Sequence, residues 1–160
     1  MTDELKQKFK IFGLSILISE LIGGLSALLT IGGMKNFATV IKPDLTPPMV
    51  VFPIVWSILF ALMGISAAII YMSRPTVNRN YSIIIYVCQL AVNFFWSIIF
   101  FNLQFFGLAF FWLLLLIALI VLMIYKFYKV SRLSAVLQVP YLIWVTFAGY
   151  LTYNIWVLNK

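Results

Sequence analysis

The chain has 160 residues, of which 64% are hydrophobic and only 9% are charged, and its formal net charge is +7. A soluble globular domain carries roughly 25% charged residues, so this composition excludes a soluble protein and indicates an integral membrane protein. The positive charge does not indicate nucleic-acid binding, because the basic residues lie in short segments between apolar runs and form no continuous stripe.

Missing residue types exclude further classes of function. The chain contains no histidine and a single cysteine, Cys88. Without histidine it lacks the usual ligand for zinc, copper and haem iron, and also the usual general base. We therefore expect no metal site and no cofactor requirement, and no acid–base constellation supports ordinary catalysis.

Five apolar runs follow one another along the chain, each long enough to cross a hydrocarbon core of about 30 Å as a helix. They cover approximately residues 9–30, 48–72, 81–101, 105–125 and 133–158. Helices satisfy every backbone polar group locally in lipid, and these runs do not alternate polar and apolar residues as barrel strands do. The sequence predicts an all-α membrane protein, with residues 1–160 forming a single domain and one bundle of five transmembrane helices.

The first span carries a carboxylate, Glu20, near its middle. A carboxylate at that depth is costly, and it either takes part in function or forms a hydrogen bond to a neighbouring helix. Glu20 is therefore a candidate intramembrane proton or hydrogen-bond site, with Gln89, Asn93 or Thr146 as expected partners. Small residues at 23–27 follow it and allow another helix or a flat ligand to approach closely.

The second span begins at a proline pair, Pro47-Pro48, after the one long loop, residues 32–46. We expect the pair to lie in the first helical turn, where no N–H bond is lost, and Pro53 to kink or loosen the next turn. A long ordered loop is typical of a lid or binding loop, the alternative being a loose connector. Gly64, deeper in the span, indicates close helix packing.

The third and fifth spans carry polar and aromatic side chains at helical spacing. Gln89, Asn93 and Trp96 share one face of the third span. The fifth span begins with Pro140 and Tyr141 and then carries an i, i+3, i+4, i+7 stripe formed by Trp144, Phe147, Ala148 and Leu151. Such stripes either line a pocket or simply pack the bundle.

Basic residues predict the orientation, because cytoplasmic loops are enriched in Lys and Arg. Three of the 11 lie on one side of the five spans, namely Lys35, Lys42 and Lys160. The other eight lie on the side of the N-terminus, namely Lys6, Lys8, Lys10, Arg74, Arg79, Lys126, Lys129 and Arg132. We expect a multi-pass protein of a bacterial-type inner membrane with a cytoplasmic N-terminus.

Three motifs, in order along spans two, three and five, resemble a known family. Lys42-Pro43-x-x-x-Pro47-Pro48 leads into VFPIVWSILFALMG, which contains Trp56; Asn93-x-x-Trp96 follows; and Pro-Tyr-Leu-x-Trp-x-x-Phe-Ala covers residues 140–148. Together they resemble the TspO/MBR family, which comprises the tryptophan-rich sensory proteins and the translocator proteins, also called peripheral-type benzodiazepine receptors.

The resemblance implies a five-helix bundle, commonly a homodimer, with a pocket that opens towards the first loop. It implies a receptor or sensor in the lipid bilayer for porphyrins or related tetrapyrroles, with protoporphyrin IX as the expected ligand. The expected pocket residues are Pro47, Trp56, Asn93, Trp144, Phe147, Ala148 and Leu151, to which Trp96 and Tyr141 are added as further ligand-binding candidates.

The resemblance also leaves two other functions open. One is light-dependent oxidative degradation of protoporphyrin, for which Trp56 and Trp144 match the tryptophans associated with that reaction. The other is transport of a tetrapyrrole or another small hydrophobic molecule. The first loop departs from the family, because Asn36-Phe37 replaces a common Trp-Tyr pair and Leu45 replaces a tryptophan before the proline pair.

Overall fold

The computed structural model describes residues 3–160, and within that range all regular structure is helical. The helices are α1 (Asp3–Phe37), α2 (Val51–Met72), α3 (Val77–Ser97), α4 (Phe106–Tyr128), α5 (Arg132–Val136) and α6 (Val139–Leu158), and a π-helical turn, Ile98–Asn102, extends α3. Five segments of the described chain are long and apolar enough to cross a membrane, with α5 and α6 together forming the fifth. The prediction of five spans in an all-α membrane protein is confirmed.

Helix α1 is longer than the sequence predicted, because it continues to Phe37 through residues 32–36 that were expected to begin the loop. Gly33 lies within this added stretch and is buried. A Cβ at Gly33 would overlap the carbonyl oxygen of Phe101, so the glycine lets α1 approach the π-helical turn closely. The Asn102 side chain then donates a hydrogen bond of 2.9 Å to the carbonyl of Leu29.

The two predictions about the prolines of the second span are wrong. Helix α2 begins at Val51, so Pro47 and Pro48 lie before it, and the amide of Val51 donates to the carbonyl of Pro48 at 2.9 Å. Pro53 is the third residue of α2. At this position the missing N–H has no intrahelical partner to lose, and α2 continues unbroken to Met72.

The fifth span is interrupted at residues 137–138. Pro140 has no N–H to bond to the carbonyl of Val136, so a continuous α-helix would lose a hydrogen bond at that point. The break lets the buried Gln138 side chain donate to Ser66 Oγ at 2.7 Å. It therefore ties the start of α6 to α2.

The bundle has two halves of different character. The half next to the loop of residues 38–50, here called the loop half, contains a cavity, whereas the opposite half, here called the solid half, is densely packed. Helices α1 and α2 approach closely at Gly64, where a Cβ would lie 2.5 Å from the Cα of Ile16. The core of the solid half consists of fully buried side chains from α2 and α4, including Met63, Ile70, Ile120, Met123 and Phe127.

Candidate ligand-binding cavity

A cavity of about 600 Å³ lies in the loop half, between α1, α2, α3 with its π-helical turn, and α6. Its volume falls within the roughly 300–1,000 Å³ that ligand pockets commonly enclose. Aromatic side chains make up much of the lining and come from four elements: Phe37, Phe52, Trp56, Phe60, Phe94, Trp96, Phe100, Phe101 and Trp144. Such a lining suits a large, apolar and flat ligand.

The α2 wall follows from helical spacing. Phe52, Trp56 and Phe60 are four residues apart and lie on one face of α2. The Trp56 and Phe60 ring centroids are 5.6 Å apart, and Phe52 meets Trp144 of α6 edge-on at 5.8 Å. Phe60 lies against Gly23 of α1, where any Cβ would overlap its ring. The ring of Phe60 therefore forms the floor of the cavity.

The α3 wall depends on the π-helical turn. Trp96 stacks on Phe100 with a centroid distance of 5.0 Å and an interplanar angle of 19°. Phe37, at the end of α1, contacts both Phe100 and Phe101 at 5.2 and 5.4 Å. The indole Nε1 of Trp96 is buried and has no hydrogen-bond partner among residues 3–160. This aromatic cluster closes the cavity on the α3 side.

A buried polar network supports the same wall from behind. The Asn93 amide donates to the Tyr141 hydroxyl at 2.7 Å, and that hydroxyl donates to Gln89 Oε1 at 2.8 Å. Asn93 lines the cavity, whereas Tyr141 and Gln89 are covered. The network fixes the orientation of the Asn93 amide. The Tyr141 hydroxyl donates its one proton to Gln89 and therefore accepts from Asn93, so the NH₂ group of Asn93 must face it.

Glu20 lines the cavity but does not form the interhelical hydrogen bond that the sequence led us to expect. Gln89 and Asn93 are bonded to Tyr141, and the Thr146 hydroxyl donates to the carbonyl of Leu142 at 2.8 Å. The half-buried Glu20 carboxylate has no hydrogen-bond partner among the described residues. Its role as a proton site stays a prediction.

The structure brings most of the predicted site residues together. Those that line the cavity are Glu20, Trp56, Asn93, Trp96, Trp144, Ala148 and Leu151. Three predicted ligand residues lie outside the lining. Pro47 is in the loop before α2, Phe147 packs against Trp144 with ring centroids 5.8 Å apart, and Tyr141 lies behind Asn93.

Sequence reasoning missed several lining residues. Phe52 and Phe60 lie four residues before and four residues after Trp56, and this helical spacing identifies both as residues on the same face of α2. Thr30 of α1 lines the cavity and was not singled out, whereas Ser26 belongs to the small residues that were expected to let a helix or a flat ligand approach. The hydroxyl of Thr30 donates back to the carbonyl of Ser26 at 2.9 Å.

The loop of residues 38–50 lies at one end of the cavity and lines it with Thr46 and Met49. Asn159, just after α6, accepts from the amide of Ile41 at 3.1 Å and donates to the carbonyl of Ile41 at 2.9 Å. The ammonium group of Lys42 lies 4.8 Å from the centre of the Phe37 ring. The two hydrogen bonds between Asn159 and Ile41, here called the Asn159 clasp, hold the loop as an ordered lid.

Comparison with known proteins gives a consistent family. The sequence matches the TspO/MBR family over residues 15–157. It is 38% identical to the tryptophan-rich protein TspO of Chlorobaculum tepidum, over 77% of this chain and 78% of the relative. It is 37% identical to protein CrtK of Rhodobacter capsulatus, over 74% of each chain. It is 31% identical to the translocator protein of Bos taurus, over 90% of this chain and 87% of the relative.

Proposed function

Because the chain belongs to the TspO/MBR family and is a multi-pass membrane protein, we propose that it is a receptor or sensor that binds a porphyrin or related tetrapyrrole. The observation that carries the proposal is the aromatic cavity of about 600 Å³ between its helices. A tetrapyrrole is flat and apolar across its faces and carries carboxylates at one edge. The indole rings of Trp56, Trp96 and Trp144 offer stacking surfaces for such a ring.

The energetics are adequate for this ligand. A ligand that buries about 500 Å² of apolar surface would gain about 12 kcal/mol, and association costs at least about 4 kcal/mol. The net gain is then at most ~8 kcal/mol, which corresponds to micromolar binding or weaker. Lys35 and Lys42 lie at the lid end and are suited to meet ligand carboxylates there. A metal-free porphyrin suits the chain better than haem, because the sequence has no histidine to bind the iron.

A fluorescence titration tests the proposal. Protoporphyrin IX added to the purified protein is expected to quench tryptophan emission saturably, because Trp56 and Trp144 line the cavity. The Trp56→Phe/Trp144→Phe variant is expected to lose most of that quenching. Trp156→Phe is the matched control, since Trp156 lies on α6 but packs against Gly107, outside the cavity. The absence of saturable quenching in the unmodified protein would contradict the proposal.

A second candidate is light-dependent oxidative degradation of the bound porphyrin, with dioxygen as the oxidant. It is favoured by the position of Trp56 and Trp144 on the same cavity and by the Tyr141 ring 6.2 Å from that of Trp56. The test is irradiation of the complex in air while the Soret band is recorded. If the band decays no faster than that of free porphyrin, the protein is a binder only.

We also propose a cytoplasmic N-terminus in a bacterial-type inner membrane, since the helix order puts the eight basic residues of the N-terminal side at the solid end of the bundle. Alkaline phosphatase fused after Lys160 is expected to be active, and the same enzyme fused before Met1 inactive. The family resemblance further supports a homodimer, which light scattering of the detergent-solubilised protein measures directly.

A further inference from the structure

The cavity wall is not equally closed on all sides. Every lining residue from α3, the π-helical turn and α6 is buried or half-buried. Exposed lining residues come from α1 and α2 and, at Met49, from the loop of residues 38–50. Those on the two helices are Gly24, Ala27, Leu28, Ile31, Pro53 and Ser57, and they are here called the seam.

The seam residues follow the line along which α1 and α2 run antiparallel. The two helices touch at Ile16 and Gly64 in the solid half and again where Phe60 lies on Gly23. Beyond that contact, the antiparallel register sets the seam residues of α1 opposite those of α2. Most of them are small or apolar, so the seam is suited to contact lipid chains rather than water.

The loop of residues 38–50 lies at one end of the cavity and lines it with Thr46 and Met49. The Asn159 clasp fastens this loop to the end of α6 through both polar atoms of one amide side chain. Phe37 is buried below the loop against the aromatic cluster. A ligand coming from water would have to break the clasp and move this lid.

We propose that the ligand reaches the cavity sideways from the bilayer, through the seam between α1 and α2, rather than through the lid. The inference rests on the proposed function, because it takes a membrane-dissolved tetrapyrrole as the molecule that passes. A flat ring enters edge-on between two helices more easily than a bulky ligand does. Gly24, Ala27 and Ser57 leave the space through which it passes.

The experiment compares two adjacent substitutions on α2. Ser57→Phe places a ring in the seam, whereas Ile58→Phe places the same ring on an exposed position that does not line the cavity. Protein in lipid nanodiscs is mixed rapidly with protoporphyrin IX, and tryptophan quenching is followed in time. Ser57→Phe is expected to slow both association and dissociation by about tenfold, because passage then requires displacement of the ring. Ile58→Phe is expected to leave both rates unchanged.

A variant of the lid supplies the opposite test. Asn159→Ala removes both hydrogen bonds of the clasp, and under the proposal it leaves the association rate within about twofold of the unmodified rate. Faster association of Asn159→Ala together with an unchanged rate for Ser57→Phe would overturn the seam route. So would a Ser57→Phe variant that binds weakly only because dissociation is faster. In both cases saturable quenching persists and the proposed function stands, whereas its absence in the unmodified protein overturns both proposals.

Discussion

The Tyr141 hydroxyl is the centre of a buried polar network that joins α3 to α6, and its removal is our main prediction. Tyr141→Phe deletes one oxygen and keeps the ring, so the packing against Trp56 is preserved. The Asn93 amide and Gln89 Oε1 each lose their partner. Neither side chain reaches solvent, since Gln89 is 0% and Asn93 4% exposed.

The expected cost follows from these two lost hydrogen bonds. A hydrogen bond between transmembrane helices contributes about 0.6 kcal/mol on average and about 1.7 kcal/mol at most, because the unfolded chain in the membrane also finds partners. Two such bonds give a loss of about 1–3 kcal/mol in the free energy of unfolding for Tyr141→Phe. The Asn93 amide, which lines the cavity, also becomes free to turn.

Unfolding in mixed micelles of increasing SDS content measures the change. Tyr150→Phe is the matched control, because Tyr150 is on the same helix and is exposed. A double-mutant cycle with Gln89→Met then isolates the Tyr141–Gln89 coupling. If Tyr141→Phe and Tyr150→Phe unfold alike, or if the cycle shows no coupling, the network does not stabilise the bundle as we argue.

Two further predictions concern backbone geometry. Gly64→Ala is expected to lower the free energy of unfolding by about 1–3 kcal/mol, because its Cβ would lie 2.5 Å from the backbone of Ile16. Gly13→Ala is the control, because the new Cβ there meets nothing within 4 Å. Equal stability of the two variants refutes the close α1–α2 approach. Gln104, in the turn before α4, has a φ of 52°, a left-handed conformation that favours glycine. Gln104→Gly is therefore expected to raise the midpoint of thermal unfolding by relieving about 1 kcal/mol of strain. A lowered midpoint refutes that reasoning.

The spans and much of the cavity were predictable from the sequence. Uninterrupted apolar runs fix the number of spans, because a polar group inside lipid is so costly that few other patterns occur. The position of Trp56, Asn93, Trp96 and Trp144 on one cavity agrees with the helical faces on which the sequence places them. The resemblance to the family indicated, in addition, which of these helical faces meet in the bundle.

Other features depend on contacts between distant residues, which local pattern does not reveal. Gly32-Gly33 is typical of a helix end, yet α1 continues through both glycines, and Gly33 lies against the backbone of Phe101 across the bundle. The carboxylate of Glu20 was expected to bond to Gln89 or Asn93. Both amides instead bond to Tyr141, whose position on α6 relative to α3 only the tertiary structure determines.

The dense packing of the solid half limits the directions in which a bound ligand can leave the cavity. If the ligand enters through the proposed seam, the cavity opens to one leaflet and ends at Phe60, beyond which Met63, Ile120 and Phe127 are fully buried. A ligand that enters by this route would then leave into the same leaflet. Movement to the opposite leaflet would require these packed side chains to separate. Under the proposed route, the arrangement therefore favours a site that stores or presents its ligand over one that passes it across the membrane.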